Sequence, residues 1–361
     1  MIFLLLSCQY LNSTPCSKPL DSKSNLTTIF RHLEENQCLH DDDIALLEAQ
    51  LDEYHKKTTV HCDQVYRRSS MDGKKFDGRE ELVLQHASVA DVWIEKDGRH
   101  VIVYNDVTPK LLIEKAKIDP KNFWRMGLIG FGGLGLAVDH MSGRPIEKLA
   151  TNLNLTAPLE LVDPDISRTS KGYWRISFFG VAPSQMNDSQ FGPMSAAKPH
   201  LFYQTESPSL KDFPTPEVIL ASSEGSNGGS DPAILERDDG SEILYIGPLD
   251  HTTMAWISED GNSWKTESPP DFNTRLRFAT PDALQAPDGS YRLYGMTNGK
   301  PGQFEMAESK DGIKFSKPIT VLMEKEAFNI SVGVDPVGTW WAYYNKTDQK
   351  CIDAWGSQKI R

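Results

Sequence analysis

From residue 62 onward the apolar positions fall in short runs divided by turns of the Asp-Gly, Lys-Gly or Val-Gly kind, a pattern that predicts strands rather than helices. Val101-Ile-Val-Tyr104 follows Asp97-Gly98, and Trp174-Arg-Ile-Ser-Phe178 follows Lys171-Gly172. Ile243-Leu-Tyr-Ile246 follows Asp239-Gly240, Tyr291-Arg-Leu-Tyr294 follows Asp288-Gly289, and Trp340-Trp-Ala-Tyr-Tyr344 follows Gly338. Aligned on these turns, the chain divides into five units, Val65–Tyr104, Leu134–Phe178, Leu201–Ile246, Met254–Tyr294 and Phe304–Tyr344. A last apolar stretch, Cys351-Ile-Asp-Ala-Trp355, lacks a partner, as does Val65-Tyr66 at the start. The two ends are therefore expected to complete one another in a closed ring.

A phrase, Ser-x-Asp-Gly-x-x-aromatic, recurs in this pattern. It reads Ser70-Met-Asp72-Gly73-Lys-Lys-Phe76, Ser258-Glu-Asp260-Gly261-Asn-Ser-Trp264 and Ser309-Lys-Asp311-Gly312-Ile-Lys-Phe315. Self-similarity at a period of about 45–60 residues marks a propeller or solenoid. Its Asp-Gly forms a tight turn with glycine at positive φ, the Ser and Asp side chains satisfy turn amides, and the aromatic packs between sheets. The expected fold class is all-β, a five-bladed β-propeller of four-stranded blades around a channel. A two-sheet sandwich accounts for the short strands and leaves the phrase unexplained.

Before the strands the periodicity is helical. Leu26, Ile29, Phe30 and Leu33 share one face, as do Ile44, Leu47, Leu51 and Tyr54, with Asp41–Asp43 capping the second helix. The expected division is a leader and tether over 1–23, a helical appendage over 24–61 and the propeller over 62–361. Leu5-Leu6-Ser7-Cys8 resembles a lipobox, without a basic segment before it. The expected location is outside the cytoplasm: periplasmic or outer-membrane lipoprotein, or secreted. A lipid anchor at Cys8 is the sole membrane link.

Composition changes this picture little. The 361 residues carry a formal net charge of −12, with 39% hydrophobic and 24% charged residues. That acid excess argues against a nucleic-acid partner. Setting Cys8 aside, Cys16, Cys38, Cys62 and Cys351 remain, an even set. Cys62 precedes the first repeat and Cys351 follows the last, so a Cys62–Cys351 disulfide is expected at the ring closure, with Cys16–Cys38 as the second pair. Sequons at Asn12, Asn25, Asn154, Asn187, Asn329 and Asn345 matter only in a eukaryotic secretory pathway.

The candidate chemistry lies at the starts of the innermost strands. The alignment places Asp91, Asp165, Asp231, Asp282 and Ser331 there, converging on the channel mouth. Carboxylates crowded at one funnel repel, which raises some pKa values and leaves others ionised. Glycoside hydrolysis uses that separation, one carboxylic acid to protonate the leaving oxygen and one carboxylate as base or nucleophile. An aspartate at a strand start also caps its own turn. His86 and Trp93 are candidate substrate contacts alongside Asp165 and Ser331; packing competes for each.

The segments His86–Asp91, Ser230-Asp231-Pro232, Ser258–Trp264, Pro281-Asp282 and Ser309–Phe315 together resemble the five-bladed arabinanase, levansucrase and invertase superfamily, which includes glycoside hydrolase families 43 and 32. The resemblance spans residues 62–361. It implies a hydrolase acting on glycosidic bonds of an oligo- or polysaccharide, with a first-blade aspartate, by position Asp91, as base or nucleophile. Asp165 or Asp231 then tunes pKa values and holds the sugar. The family's acid is a glutamate, and none stands at an aligned strand start. Glu224 on its glycine-rich segment, Glu326 and Asp282 itself remain open for that role.

No Cys/His cluster has metal spacing, and no cofactor and no metal ligand set is expected. Gly130–Gly135 lacks the strand-to-helix setting of a nucleotide loop, and a Gly-x-Ser-x-Gly elbow is missing. The competing reading is a non-catalytic surface propeller that binds carbohydrate or protein, since one fold serves both roles.

Overall fold

The computed structural model describes residues 18–24, 28–29, 32, 40, 42–47, 49–50, 62–107, 133–153, 162–180, 201–221, 229–248, 252–261, 264–265, 272 and 276–351. Their strands form five four-stranded antiparallel sheets, the blades of a propeller. The first strands, β1 (Asp63–Ser70) and β2 (Glu81–Gln85), belong to the last blade. The first blade is β3 (Ala87–Ile94), β4 (His100–Asp106), β5 (Leu134–Asp139) and β6 (Glu147–Leu149). The second is β7 (Val162–Arg168), β8 (Trp174–Gly180), β9 (Leu201–Ser207) and β10 (Glu217–Ala221). The third is β11 (Gly229–Glu236), β12 (Glu242–Pro248), β13 (Met254–Ser258) and β14 (Trp264–Lys265). The fourth is β15 (Asp282–Gln285), β16 (Tyr291–Met296), β17 (Gln303–Ser309) and β18 (Ile319–Met323). The fifth joins β19 (Phe328–Val334) and β20 (Trp340–Thr347) to β1 and β2.

Two sequence expectations change here. Each unit drawn from the turns straddles two blades, because a blade starts at its inner strand and ends with the phrase between its third and fourth strands. The phrases at 258–264, 309–315 and 70–76 thus lie in the third, fourth and fifth blades. The ring also closes through β1 on β20, in register from Asp63 opposite Thr347 to Ser70 opposite Trp340. Cys351 instead lies in a helical turn with Gln349 and Lys350, and residues 352–355 lie outside the described residues.

The blades stick together through apolar faces. Four buried clusters each lie between neighbours: first with second, third with fourth, fourth with fifth, and fifth with first. The phrase contributes to them as expected. The Gly73 N–H donates to Ser70 Oγ at 3.0 Å, and the Gly312 N–H donates to Ser309 Oγ at 2.9 Å. Phe76 packs edge-on to Tyr294 and Phe315 edge-on to Tyr245, each in the preceding blade. Those tyrosines also donate to the turn, Tyr294 Oη to Gly73 O and Tyr245 Oη to Gly312 O. Gly73 has φ 71°, and a Cβ there would stand 2.6 Å from Arg292, so glycine is required for the blade contact as well as the turn.

The closure is charged and covalent. Arg67 pairs with Asp139 at 2.6 Å and Glu81 at 2.7 Å, Arg68 with Glu324 at 2.9 Å, and Lys346 with Glu80 at 2.6 Å and Glu324 at 2.7 Å. The expected Cys62–Cys351 disulfide is present, with the two Cα atoms 5.6 Å apart. Cys8, Cys16 and Cys38 lie outside the described residues. Among the described residues no helix is long and apolar enough to cross a membrane. Two of the sequons are buried: Asn329 Nδ2 donates to Ala90 O, and Asn345 Nδ2 donates to Ala87 O.

Candidate active site

Every inner strand reaches the axis with its start at one face, the mouth, and its end at the other. At the mouth the strands are bulged: pairing shifts between Ser88 and Asp91, Val162 and Asp165, Ser230 and Pro232, and Phe328 and Ile330. At each bulge a non-glycine residue takes positive φ, namely Val89 at 46°, Asp163 at 50°, Asp231 at 53° and Asn329 at 54°. Asp and Asn tolerate that region through local hydrogen bonds, whereas a β-branched residue there is an outlier. Val89→Asn is therefore expected to stabilise the fold by about 1 kcal/mol. A thermal melt checks this, and an unchanged or lower midpoint would show that valine packing outweighs the backbone cost.

Two residues beyond each bulge sits a second ring: Asp91, Asp165, Ala233, Asp282 and Ser331. Opposite them in the second strands stand Val103, Ser177, Tyr245, Tyr294 and Tyr343. The ring residues clasp the next blade. Ser331 Oγ accepts the Val92 N–H at 2.9 Å, Asp91 Oδ2 the Ile166 N–H at 2.7 Å, and Asp282 Oδ2 the Val332 N–H at 2.6 Å. Asp165 accepts from the Ile234 N–H in the same way. The third blade, with Ala233, has no side chain to make this bond.

The equivalence of Asp231 with Asp91, Asp165 and Asp282 is thus corrected. Asp231 belongs to the mouth set with Val89, Asp163 and Asn329, two residues earlier. An even displacement keeps the same face, so the strand pattern alone does not reveal it. Sequence reasoning missed Asp163, although the repeated dipeptide Asp163-Pro164 and Asp231-Pro232 is the signal that pairs them.

The structure brings Asp91, Asp165 and Asp282 together at the waist of the channel, with one oxygen from each within 4.8 Å of the others. All three are buried. Burial pushes Asp91 up to about 6, against hydrogen bonds from Ser331 and the Ile166 amide. Asp165 and Asp282 are held well above the usual carboxylate range by burial and then by the charge of Asp91. Above the waist a narrow cleft is lined by Val89, Asp163, Asp231 and Asn329 at the mouth and by Asp91, Asp165 and Asp282 at its floor. Below it a funnel of about 910 Å³ opens to the far face, past Trp93, Arg168 and Arg237.

The remaining expected site residues disperse. Ser331 stays in the clasp ring beside Asp91. Trp93 lies on the funnel side, half-buried against the core between the first two blades. His86 stands between β2 and β3 at φ 55°, its carbonyl accepting the Val107 N–H. Glu326 is in an exposed turn. Glu224 lies outside the described residues, as do His251 and Trp124.

No family model matches this chain, and no curated protein matches it by sequence. Solved structures do. The GH43 protein BlXynB from Bacillus licheniformis, as a point mutant, is 16% identical over 73% of this chain and 49% of its own, at TM-score 0.50. This chain therefore spans about half the length of that relative. Zg3597, a family 117 glycoside hydrolase from Zobellia galactanivorans, is 13% identical over 79% of this chain and 91% of its own, at TM-score 0.47. The arabinanase Arb43A of Bacillus subtilis is 10% identical over 71% and 94%, at TM-score 0.43. At such identities the likeness is one of fold: this chain is a five-bladed β-propeller of the kind found in GH43 glycoside hydrolases.

Proposed function

We propose that this protein is a glycoside hydrolase-like propeller that takes an oligo- or polysaccharide at the mouth of its channel. The observation that carries the reading is the pair of Asp-Pro strand starts, Asp163 and Asp231, on adjacent blades and bounding one cleft. Two carboxyl groups facing one bond are what an acid and a base or nucleophile require. Glu224, seven residues before Asp231 in the sequence, is the acid in this reading.

Asp91, expected as the base, gives an oxygen to a backbone amide at the floor of the cleft, as Asp282 does. In this reading the waist carboxyls hold the mouth in shape, and Asp163 and Asp231 meet the sugar. The disulfide suits an oxidising compartment, which favours an exported protein, with Cys8 as the lipid-bearing residue if the leader is processed.

One observation favours a second reading, non-catalytic glycan binding. The first-blade aspartate that the resemblance implies, Asp91, is committed to the Ile166 amide, and the first-blade residue at mouth level is Val89. A screen of aryl-glycosides and polysaccharides with wild type and Asp231→Asn separates the two. Hydrolysis predicts turnover that falls at least about 100-fold in the variant. Glycan binding without turnover by either protein sinks the hydrolase reading and leaves the binding one.

A further inference from the structure

A second space lies across the waist from the sugar cleft. The funnel on the far face holds about 910 Å³, within the roughly 300–1,000 Å³ of small-molecule sites. For a sugar it ends blind: one oxygen each from Asp91, Asp165 and Asp282 lie within 4.8 Å of one another, too close for a ring to pass. Trp93 follows Asp91 by two residues on β3, so it stands on the same face, half-buried on the funnel wall. At the floor Asp165 Oδ2 is fully buried and has no hydrogen-bond partner among the described residues. The residue that bears it is 6% exposed.

The wall is polar, and its groups are held in place before any ligand arrives. Arg168 lies 3.9 Å from the Trp174 ring centroid and pairs with Glu95 at 2.9 Å. Glu236 Oε2 accepts the Ser170 N–H at 3.1 Å, and Asp238 Oδ1 accepts from Gln285 Nε2 at 2.9 Å. These three bonds follow one another around the funnel, joining the first blade to the second, the second to the third and the third to the fourth. Each uses one oxygen of a carboxylate and leaves the other open to a ligand. Side chains fixed in advance lose little freedom on binding.

We infer that the funnel is a second, non-catalytic site that takes the end of a neutral oligosaccharide, one sugar face against Trp93 and its hydroxyls on the wall carboxylates and Asp165. Fixed acceptors beside fixed donors suit hydroxyls, which both give and take hydrogen bonds. On the wall Glu95, Glu236 and Asp238 are matched by Lys96, Arg168 and Arg237, which leaves no single sign to recruit a salt. The three acids at the floor repel an anion. The closed waist admits a chain end and stops it there. The site is additional to the mouth cleft and holds whether or not that cleft is hydrolytic.

The test titrates the full chain by calorimetry with xylotriose, mannotriose, arabinotriose or trigalacturonate, as wild type and as Asp231→Asn, the variant altered at the mouth. In Asp231→Asn at least one neutral trisaccharide is expected to fill a single saturable site, with trigalacturonate at least about tenfold weaker. Adding Trp93→Ala is expected to weaken that binding at least about tenfold. No saturable heat from the neutral sugars, equal binding of trigalacturonate, or an undiminished response with Trp93→Ala would overturn the inference. Binding by wild type that vanishes in Asp231→Asn alone puts the sugar at the mouth, which also overturns it and leaves the mouth reading standing. Should Trp93→Ala fail to fold, crystals of Asp231→Asn soaked in the trisaccharide decide. Sugar density in the funnel supports the site, and density at the mouth alone or none at all refutes it.

Discussion

Loss of the Cys62–Cys351 disulfide is expected to destabilise the protein by roughly 2–5 kcal/mol. The bond joins residues 289 apart in sequence, at the top end for loop closure, where the chain-entropy model assigns the largest stabilisation. It also sits where the ring is mechanically open to failure. β1 is the sole described strand joining β2 to the rest of the fifth blade. If β1 peels from β20, the phrase at Ser70–Phe76 leaves the fourth blade, and Tyr294 loses its acceptor at Gly73 O. Denaturant unfolding of wild type with and without reductant, and of a Cys62→Ser/Cys351→Ser double variant, measures the effect. Equal midpoints for oxidised and reduced protein would show that ladder and ion pairs alone close the ring.

The second large effect is on pH dependence. The native waist binds more protons than the unfolded chain, whose aspartates titrate near 3.9. Asp91 moves up to about 6, Asp165 and Asp282 are raised well above the usual carboxylate range, and buried Asp63 moves to about 7. Stability from these groups is therefore full below about pH 4 and is lost as pH rises through their folded values. For Asp91 the shift of about two units corresponds to something on the order of 3 kcal/mol. His100 works the other way: burial holds it down to about 4, so it costs stability as pH falls below the ordinary histidine value. The waist contribution is isolated by comparing wild type with Asp165→Asn between pH 5 and pH 8. Wild type should lose more stability than the variant over that interval. Parallel curves would mean that the waist does not titrate in this window.

What could be read in the sequence was whatever repeats along the chain. The number of blades follows from the turns, and the Ser-x-Asp-Gly phrase identifies the outer turn of three blades. The positions of Cys62 and Cys351 on either side of the array point to their bond. Phase was not readable, because a strand pair looks the same whether it opens a blade or ends one. The placement of Asp231 failed for a different reason. The bulge at each inner-strand start puts mouth and waist positions two residues apart on one face, and in the third blade the waist residue is Ala233, which carries no mark. The grouping of Asp91, Asp165 and Asp282 was legible from the aligned inner strands, whereas their depth at the waist was not, because it depends on the bulges. Val89, at the mouth, looks in the sequence like any strand valine.

The closure by β1 sets an order of events during synthesis. Its partner β20 is made nearly 280 residues later, which at 5–20 residues per second is a delay on the order of 15–60 s. Throughout that interval β1 is an unpaired edge, the kind of strand that recruits a wrong neighbour. Arg67 and Arg68 in its middle, with Glu80 just before β2 and Glu81 at its start, are charges of the sort that discourage such pairing. Arg67, Arg68 and Glu80 later make ion pairs that lock the ring, to Asp139, Glu324 and Lys346. Neutralising them should therefore cost yield in the cell more than it costs the finished fold, because their first task precedes the ring they close.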